Sequence, residues 1–287
     1  MPPTRIPQPE DFDSLKPHLH VTTHYPSPPE STTSILLLFH GLGDTNSPFL
    51  SFASNLSLPG VLAISVRGIS PLPPSLLGLP LDSGPTDNFH WGDDLKLDAR
   101  TGEIDMDPGY EKVAELVMDR LVGEVLMRKC GWETGDVMLF GFGQGGGVAL
   151  GLGSLVRTWT GTPGTWDGLE VEEVKGGEEE VKEGVAGDDE ERKEKAAFKG
   201  IVSIGGALPP SMIPSVSARE KAKTPVLVLH GSKSEYVGED EVDLIQREFE
   251  DVKVVEWKRP DDGMPRSREE VLPMMEFFAE RLKSGWP

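Results

Sequence analysis

Apolar residues in this chain gather into short unbroken runs, and helical stretches of mixed character separate the runs. The runs fall at Ser34–Phe39, Val61–Val66, Asp136–Phe140, Gly200–Ile204, Pro225–His230 and Val252–Trp257. A short continuous run bounded by turn residues is the pattern of a strand buried on both faces, as in a parallel sheet. Between the runs, Asp107–Cys130 reads as an amphipathic helix. Val113, Leu116, Val117, Leu121 and Val125 share one face, and Glu111, Lys112, Glu115 and Asp119 point elsewhere. Pro108 suits its first turn, where a missing N–H costs nothing. Two further helices are expected at Glu239–Phe249 and Ser267–Leu282. The second opens with Ser267 and Glu270 at capping-box spacing, and Pro273 is expected to perturb its early turns. The alternation predicts an α/β fold, with a mostly parallel central sheet and helices on both faces.

One stretch breaks the rhythm. From about residue 160 to 195 the chain is rich in Gly, Glu, Asp and Lys, including Glu178-Glu179-Glu180 and Asp188-Asp189-Glu190-Glu191. It holds too little apolar area to offset the entropy of ordering it, so it is expected to be a disordered acidic insertion. The expected organisation is a Pro-rich segment over residues 1–30 followed by a single domain over 31–285 that carries this insertion. No internal repeat is visible.

Charge and cysteine content narrow the classes. With 28 basic and 48 acidic residues the formal net charge is −20, which argues against nucleic acid and anionic membranes as partners. The acidic insertion reads either as a merely solvated surface loop or as a docking site for a basic protein partner. Cys130 is the only cysteine, which excludes an internal disulfide and suits a reducing compartment. Met1–Leu19 contains no apolar run of the kind a signal peptide needs, and the strongest run, Ile35–Phe39, is too short to span a bilayer. A cytoplasmic protein is expected.

The chemistry concentrates in short segments that follow strands. At Val137–Gly146 a strand, a glycine turn and a helix run together, with the turn written Gly141-Phe142-Gly143-Gln144-Gly145. A nucleophile elbow reads G-x-S-x-G. Here its middle position is Gly143, which has no oxygen to attack a carbonyl. Earlier comes Phe39-His40-Gly41-Leu42-Gly43-Asp44, and later Leu229-His230-Gly231-Ser232-Lys233-Ser234-Glu235-Tyr236-Val237 and Gly263-Met264-Pro265-Arg266-Ser267. In this order the segments resemble the acyl-protein thioesterase and phospholipase/carboxylesterase family of α/β-hydrolases. That family carries H-G-L-G-D, G-F-S-Q-G-G, H-G-x-x-D and G-M-x-H. The resemblance covers about residues 34–156 and 198–282.

The resemblance implies an α/β-hydrolase fold with Gly143, Ser234 and Arg266 at the three triad positions. None of these can do the family's chemistry. Arginine stays protonated and offers no acceptor, and serine cannot stabilise an imidazolium as a carboxylate does. The resemblance also implies that the backbone amides of Leu42 and Gln144 form an oxyanion hole, and that His90 and Trp91 lie beside the site. Two fates for Arg266 follow: an anion site shared with those amides, or an inert ion pair with Glu235. The function expected is a degenerate hydrolase that binds an acyl or other small apolar or anionic ligand, or a protein partner. An active ester or thioester hydrolase with relocated groups is the alternative, with His90 and a neighbouring serine as one candidate pair.

Other candidates carry less. His40 and His230 end strands before glycine and are expected to be structural; His18, His20 and His24 fall near a possible edge strand. The apolar loop Ile69–Leu81 reads either as a lid over a greasy cleft or as packing onto the domain. Gly141–Gly146 also satisfies G-x-G-x-x-G, the dinucleotide fingerprint, but two strands precede it, and the stretch about 20 residues on, around Trp159–Asp167, enters the acidic insertion where the fingerprint needs an acid at the end of a strand. Neither a calcium-loop nor a zinc spacing is present, and no metal or cofactor is expected.

Overall fold

The computed structural model describes residues 2–80, 82, 84, 86–96, 104–161, 196–215 and 220–283. Beyond residue 161, the acidic stretch expected up to 195 lies outside the described residues. Seven strands form one sheet in the order β1 (Val21–His24), β3 (Val61–Val66), β2 (Ser34–Phe39), β6 (Val137–Phe142), β7 (Gly200–Ile204), β8 (Val226–Gly231) and β9 (Val252–Trp257). Only β1 runs antiparallel, against β3. A separate two-residue ladder joins β4 (Ser70–Pro71) to β5 (Phe89–His90).

The central strands are buried along their whole length because helices cover both faces. The two-residue period of a strand sends alternate side chains into two cores. Leu37, Ile64, Leu139 and Val228 meet the helix α2 and its continuation through Val117, Leu121 and Val125, together with Val148 and Leu152 of α3 (Gln144–Leu155). Leu36, Leu38, Phe140 and Leu227 meet Phe49 of α1 (Asn46–Leu56) and Met274, Phe277 and Phe278 of α5 (Arg268–Leu282). Each such side chain gains about 1.5–3 kcal/mol from burial. α4 (Glu239–Glu248) adds Ile245 to the first core.

Several boundaries differ from those expected. The expected helix Asp107–Cys130 is realised as α2 (Glu111–Ala114), running on as a π-helical stretch Glu115–Lys129. It starts late because Asp93, from a loop distant in sequence, takes the amides of Glu111 and Lys112 at 2.7 and 2.9 Å. That capping leaves Pro108 in the preceding turn. α1 carries only a weak helical pattern, being rich in Ser and Asn with a proline near its start. It forms because Phe49 and Ala53 find the sheet. α5 continues through Pro273, and Ser267 accepts from the Glu270 amide at 3.3 Å. The Glu270 carboxylate turns instead to the Arg266 amide at 2.7 Å, so only half of the capping box forms.

The Pro-rich start is docked. Phe12, Leu15 and Leu19 enter the first core, the Arg5 amide donates to Cys130 O at 2.9 Å, and Trp132 Nε1 donates to Arg5 O at 2.8 Å. Burial pushes the Cys130 thiol up to about 11, which keeps it protonated.

Candidate functional site

β6 runs through Phe142, α3 begins at Gln144, and Gly143 joins them at φ 52° and ψ −122°. This left-handed bend costs an ordinary L residue energy, and glycine adopts it freely. A Cβ placed on Gly143 would have as its nearest neighbour Gly41 Cα, at 3.9 Å. Among the described residues outside the bend itself, no other atom lies within 4 Å of that point, so the space at the bend is open. The bend is held from both sides: the Gly143 amide donates to Ile204 O at 2.8 Å, and its carbonyl accepts from Gly146 N and Gly147 N at 2.9 and 3.1 Å. Gly145 lies so close to the end of β2 that a Cβ there would collide with the Phe39 and His40 carbonyl oxygens.

The second turn is locked as firmly. His40 Nε2 accepts from the Gly68 amide at 2.8 Å, so its Nδ1 donates to Gly41 O, also at 2.8 Å. Burial lowers the His40 pKa and holds the ring neutral. With both nitrogens engaged, His40 is a structural pin. His230 likewise holds its Nδ1 at 3.0 Å from Gly231 O. Trp91 links the turns, its Nε1 donating to His40 O at 2.7 Å and its amide to Gln144 Oε1 at 3.0 Å. Asn88 Nδ2 and the Gly43 amide close the loop through Gly43 O at 2.6 Å and Phe89 O at 2.9 Å. The amides of Leu42 and Gln144 donate to no acceptor among the described residues. An oxyanion hole needs two uncommitted backbone donors of this kind.

The loops after β8 and β9 are arranged differently. Ser234 Oγ donates to Asp262 Oδ2 at 2.6 Å and accepts from the Val237 amide at 2.9 Å. The other Asp262 oxygen takes the Gly231 amide at 2.8 Å. Asp262 also packs against Gly205, which borders the elbow's own cleft. A hydroxyl–carboxylate pair thus bridges the two loops that would present an acid and a base. Arg266 points away: its side chain is 67% exposed and pairs with Asp261 at 2.8 Å. Loss of solvation raises the Asp261 carboxyl, but Arg266 and Arg259 outweigh it and hold the group below its usual range.

The expected ion pair between Arg266 and Glu235 therefore does not form, because Asp261 lies within the same short loop and reaches the guanidinium first. Nor does Arg266 reach the cleft at the elbow to share an anion with the amides. Asp262 was missed in the sequence although it directly precedes Gly263-Met264. A carboxylate beside a glycine turn carries no signal until its partner loop is known.

A cleft of about 520 Å³ opens at Gly143 and Gln144, between Tyr110 on one side and Tyr236 on the other. Asp105, Asp107, Glu235, Asp240 and Glu241 lie on its walls with Arg247. The Tyr110 hydroxyl donates to Met106 O at 2.6 Å; burial raises the Tyr110 pKa, so the phenol stays protonated. His90 is buried next to Trp91 and faces Ser70 across the short ladder, with no partner for its Nδ1; burial lowers its pKa. For the dinucleotide reading, the strand after the elbow is β7, and it ends at Ile204 before Gly205-Gly206. The strand thus ends in two glycines and not in the acid that the fingerprint places there; the Asp262 carboxylate beside Gly205 is already bonded to Ser234 and the Gly231 amide. Among the described residues no cluster of three or more metal-ligating side chains occurs, and no helix is long and apolar enough to cross a membrane.

Known proteins resemble this chain at two levels. Residues 23–161 match the phospholipase/carboxylesterase family model. An uncharacterized hydrolase of Schizosaccharomyces pombe is 27% identical over 255 residues, covering 87% of this chain and 83% of its own. One from Mycosarcoma maydis is 32% identical over 129 residues, 44% of this chain and 43% of its own. Among solved structures, Zea mays acyl-protein thioesterase 2 superposes with a TM-score of 0.59 at 17% identity, covering 92% of this chain and 99% of that one. Fold and sequence together make this an α/β-hydrolase-fold protein whose residues 23–161 carry the signature of the phospholipase/carboxylesterase family.

Proposed function

We propose that this protein is a catalytically degenerate member of the carboxylesterase/thioesterase-like hydrolases, one that binds an acyl group at the elbow and does not cleave it. The observation that carries the proposal is Gly143, held at φ 52° in open space and flanked by two uncommitted amides, with no hydroxyl on the bend. A site that has lost its nucleophile and base retains about 10³–10⁴ over water at best, against roughly a million-fold loss from the intact enzyme. The Leu42 and Gln144 amides remain suited to a carbonyl oxygen. The carboxylates around the cleft disfavour a free fatty anion, so the ligand is a neutral acyl group presented as an ester, thioester or amide. A protein carrying such a group through a basic segment would also meet the chain's negative charge favourably.

The test is turnover of p-nitrophenyl butyrate together with stoichiometric labelling by a fluorophosphonate probe. The expected result is no turnover above the residual level and no label. Full labelling of the purified protein overturns the proposal. One observation favours a second reading, in which relocated groups hydrolyse the ester: His90 is buried opposite Ser70 with a free Nδ1. Labelling that disappears in both Ser70→Ala and His90→Gln establishes that reading instead.

A further inference from the structure

The end of the sheet opposite the elbow contains a second cavity, of about 560 Å³, between β1, β3, β2 and the end of α1. Its cause is visible in the register. His24 of β1, Ala63 of β3 and Leu36 of β2 stand in one row across neighbouring strands. The helix residue above that row is Ala53. Where alanine meets alanine between a helix and a sheet, the two surfaces cannot fill the space between them. The gap opens outward past exposed Ser31, Ser57 and Pro59 and narrows to buried Leu36, Ala53 and Ala63. Pro26, Pro28 and Pro59 form the rim.

The wall has an unusual charge for this molecule. In a chain with 48 acidic and 28 basic residues, the cavity wall contains no Asp, Glu, Lys or Arg. A charged ligand would lose its hydration there and find no counter-charge. The hydroxyls of Ser31, Thr33 and Ser57 are already committed to Pro28 O, Gly60 O and Ser54 O. The Ser27 hydroxyl, on the exposed rim, and the His24 imidazole make no hydrogen bond to any described residue; of the two, His24 stands at the end of the row, with a polar atom to offer. An apolar cavity of a few hundred Å³ with one polar anchor is the ordinary design of a small-molecule site.

We propose that this cavity is a second binding site, separate from the cleft at Gly143, for an uncharged amphiphile: an aliphatic or aromatic body seated on Leu36, Ala53 and Ala63, with one hydroxyl or carbonyl bonded to His24. It does not depend on whether the elbow is catalytic.

The test is titration of the full chain with 1-octanol, toluene and octanoate, read from backbone amide shifts in a two-dimensional NMR spectrum. Saturable shifts at Gly60 and Ala63 are expected with 1-octanol and toluene, and octanoate should bind at least about ten-fold more weakly. Ala63→Leu should weaken 1-octanol at least about ten-fold by occupying the space. Ala53→Leu, which fills the same space from the helix side, gives the same readout if the strand variant fails to fold. His24→Phe should weaken 1-octanol several-fold and leave toluene unchanged. Shifts confined to Gly143 and Gln144, octanoate binding as tightly as 1-octanol, or filling variants with unaltered affinity would each overturn the proposal. So would equal effects of His24→Phe on both neutral probes.

Discussion

Two regions at the carboxyl end of the sheet are held together in different ways. The turns after β2 and β6 are fixed by close backbone contacts and buried hydrogen bonds. The loops after β8 and β9 are held by side-chain pairs, Ser234–Asp262 and Arg266–Asp261. What distinguishes them is how each does its work. The first region works through backbone amides, whose positions are fixed by packing: Gly145 against the Phe39 and His40 carbonyls, His40 between Gly68 and Gly41, Trp91 between His40 and Gln144. Few substitutions there leave the fold intact. The second region works through side chains on partly exposed loops, where a carboxylate or imidazole can be exchanged with little loss of stability. The family match, residues 23–161, contains the turns after β2 and β6 and stops before β8 and β9.

The comparison can be broken most severely at Gly145. Gly145→Ala forces a Cβ into two carbonyl oxygens that cannot retreat, and a loss above about 3 kcal/mol is expected in urea unfolding. A near-neutral result would mean the elbow is not held by packing. Gly143→Ala probes the same turn where space is open, so only backbone strain remains; a loss of about 1–3 kcal/mol is expected. In the second region, Ser234→Asp would bring a second carboxylate against Asp262 and remove the hydroxyl donor. A coupling of about 0.5–3 kcal/mol with Asp262→Asn is expected in a double-mutant cycle, because the asparagine amide can donate to the new aspartate. Strict additivity would show that the two loops are independent. The smallest effect belongs to Arg266→Ala. Its exposed ion pair within one loop should leave both the unfolding midpoint and acyl-ligand affinity unchanged. A measurable loss of ligand affinity there would restore Arg266 to the site.

Much of the architecture could be read from the chain in advance, for a physical reason. Fully buried parallel strands must be continuous apolar runs, so Ser34–Phe39, Val61–Val66 and Gly200–Ile204 appear with the same limits in the sheet; Val252–Trp257 also keeps its limits, as an edge strand with only Trp257 buried. Helices that obtain their stability from tertiary contact were less visible. α1 has little intrinsic helical signal, and α2 takes its cap from Asp93, 18 residues earlier. Within the site, the glycine bend at Gly143 between a strand and a helix was plain because a motif of consecutive residues specifies it. The partner of Arg266 was misjudged because a long flexible side chain on an exposed loop pairs with whichever carboxylate the loop brings near.

By itself the sequence determined which turns exist and which atoms they lack: glycine at 143, serine at 234, arginine at 266. Covalent identity and short-range backbone demands are local properties, and a string of residues states them in full. Only the tertiary structure decided that Ser234 bonds Asp262 across 28 residues, that Leu42 and Gln144 keep uncommitted amides, and that Ala53 and Ala63 face each other over a gap. Each of these depends on how separate strands and loops are brought together, and the spacing of residues along one strand does not encode what its neighbours will present.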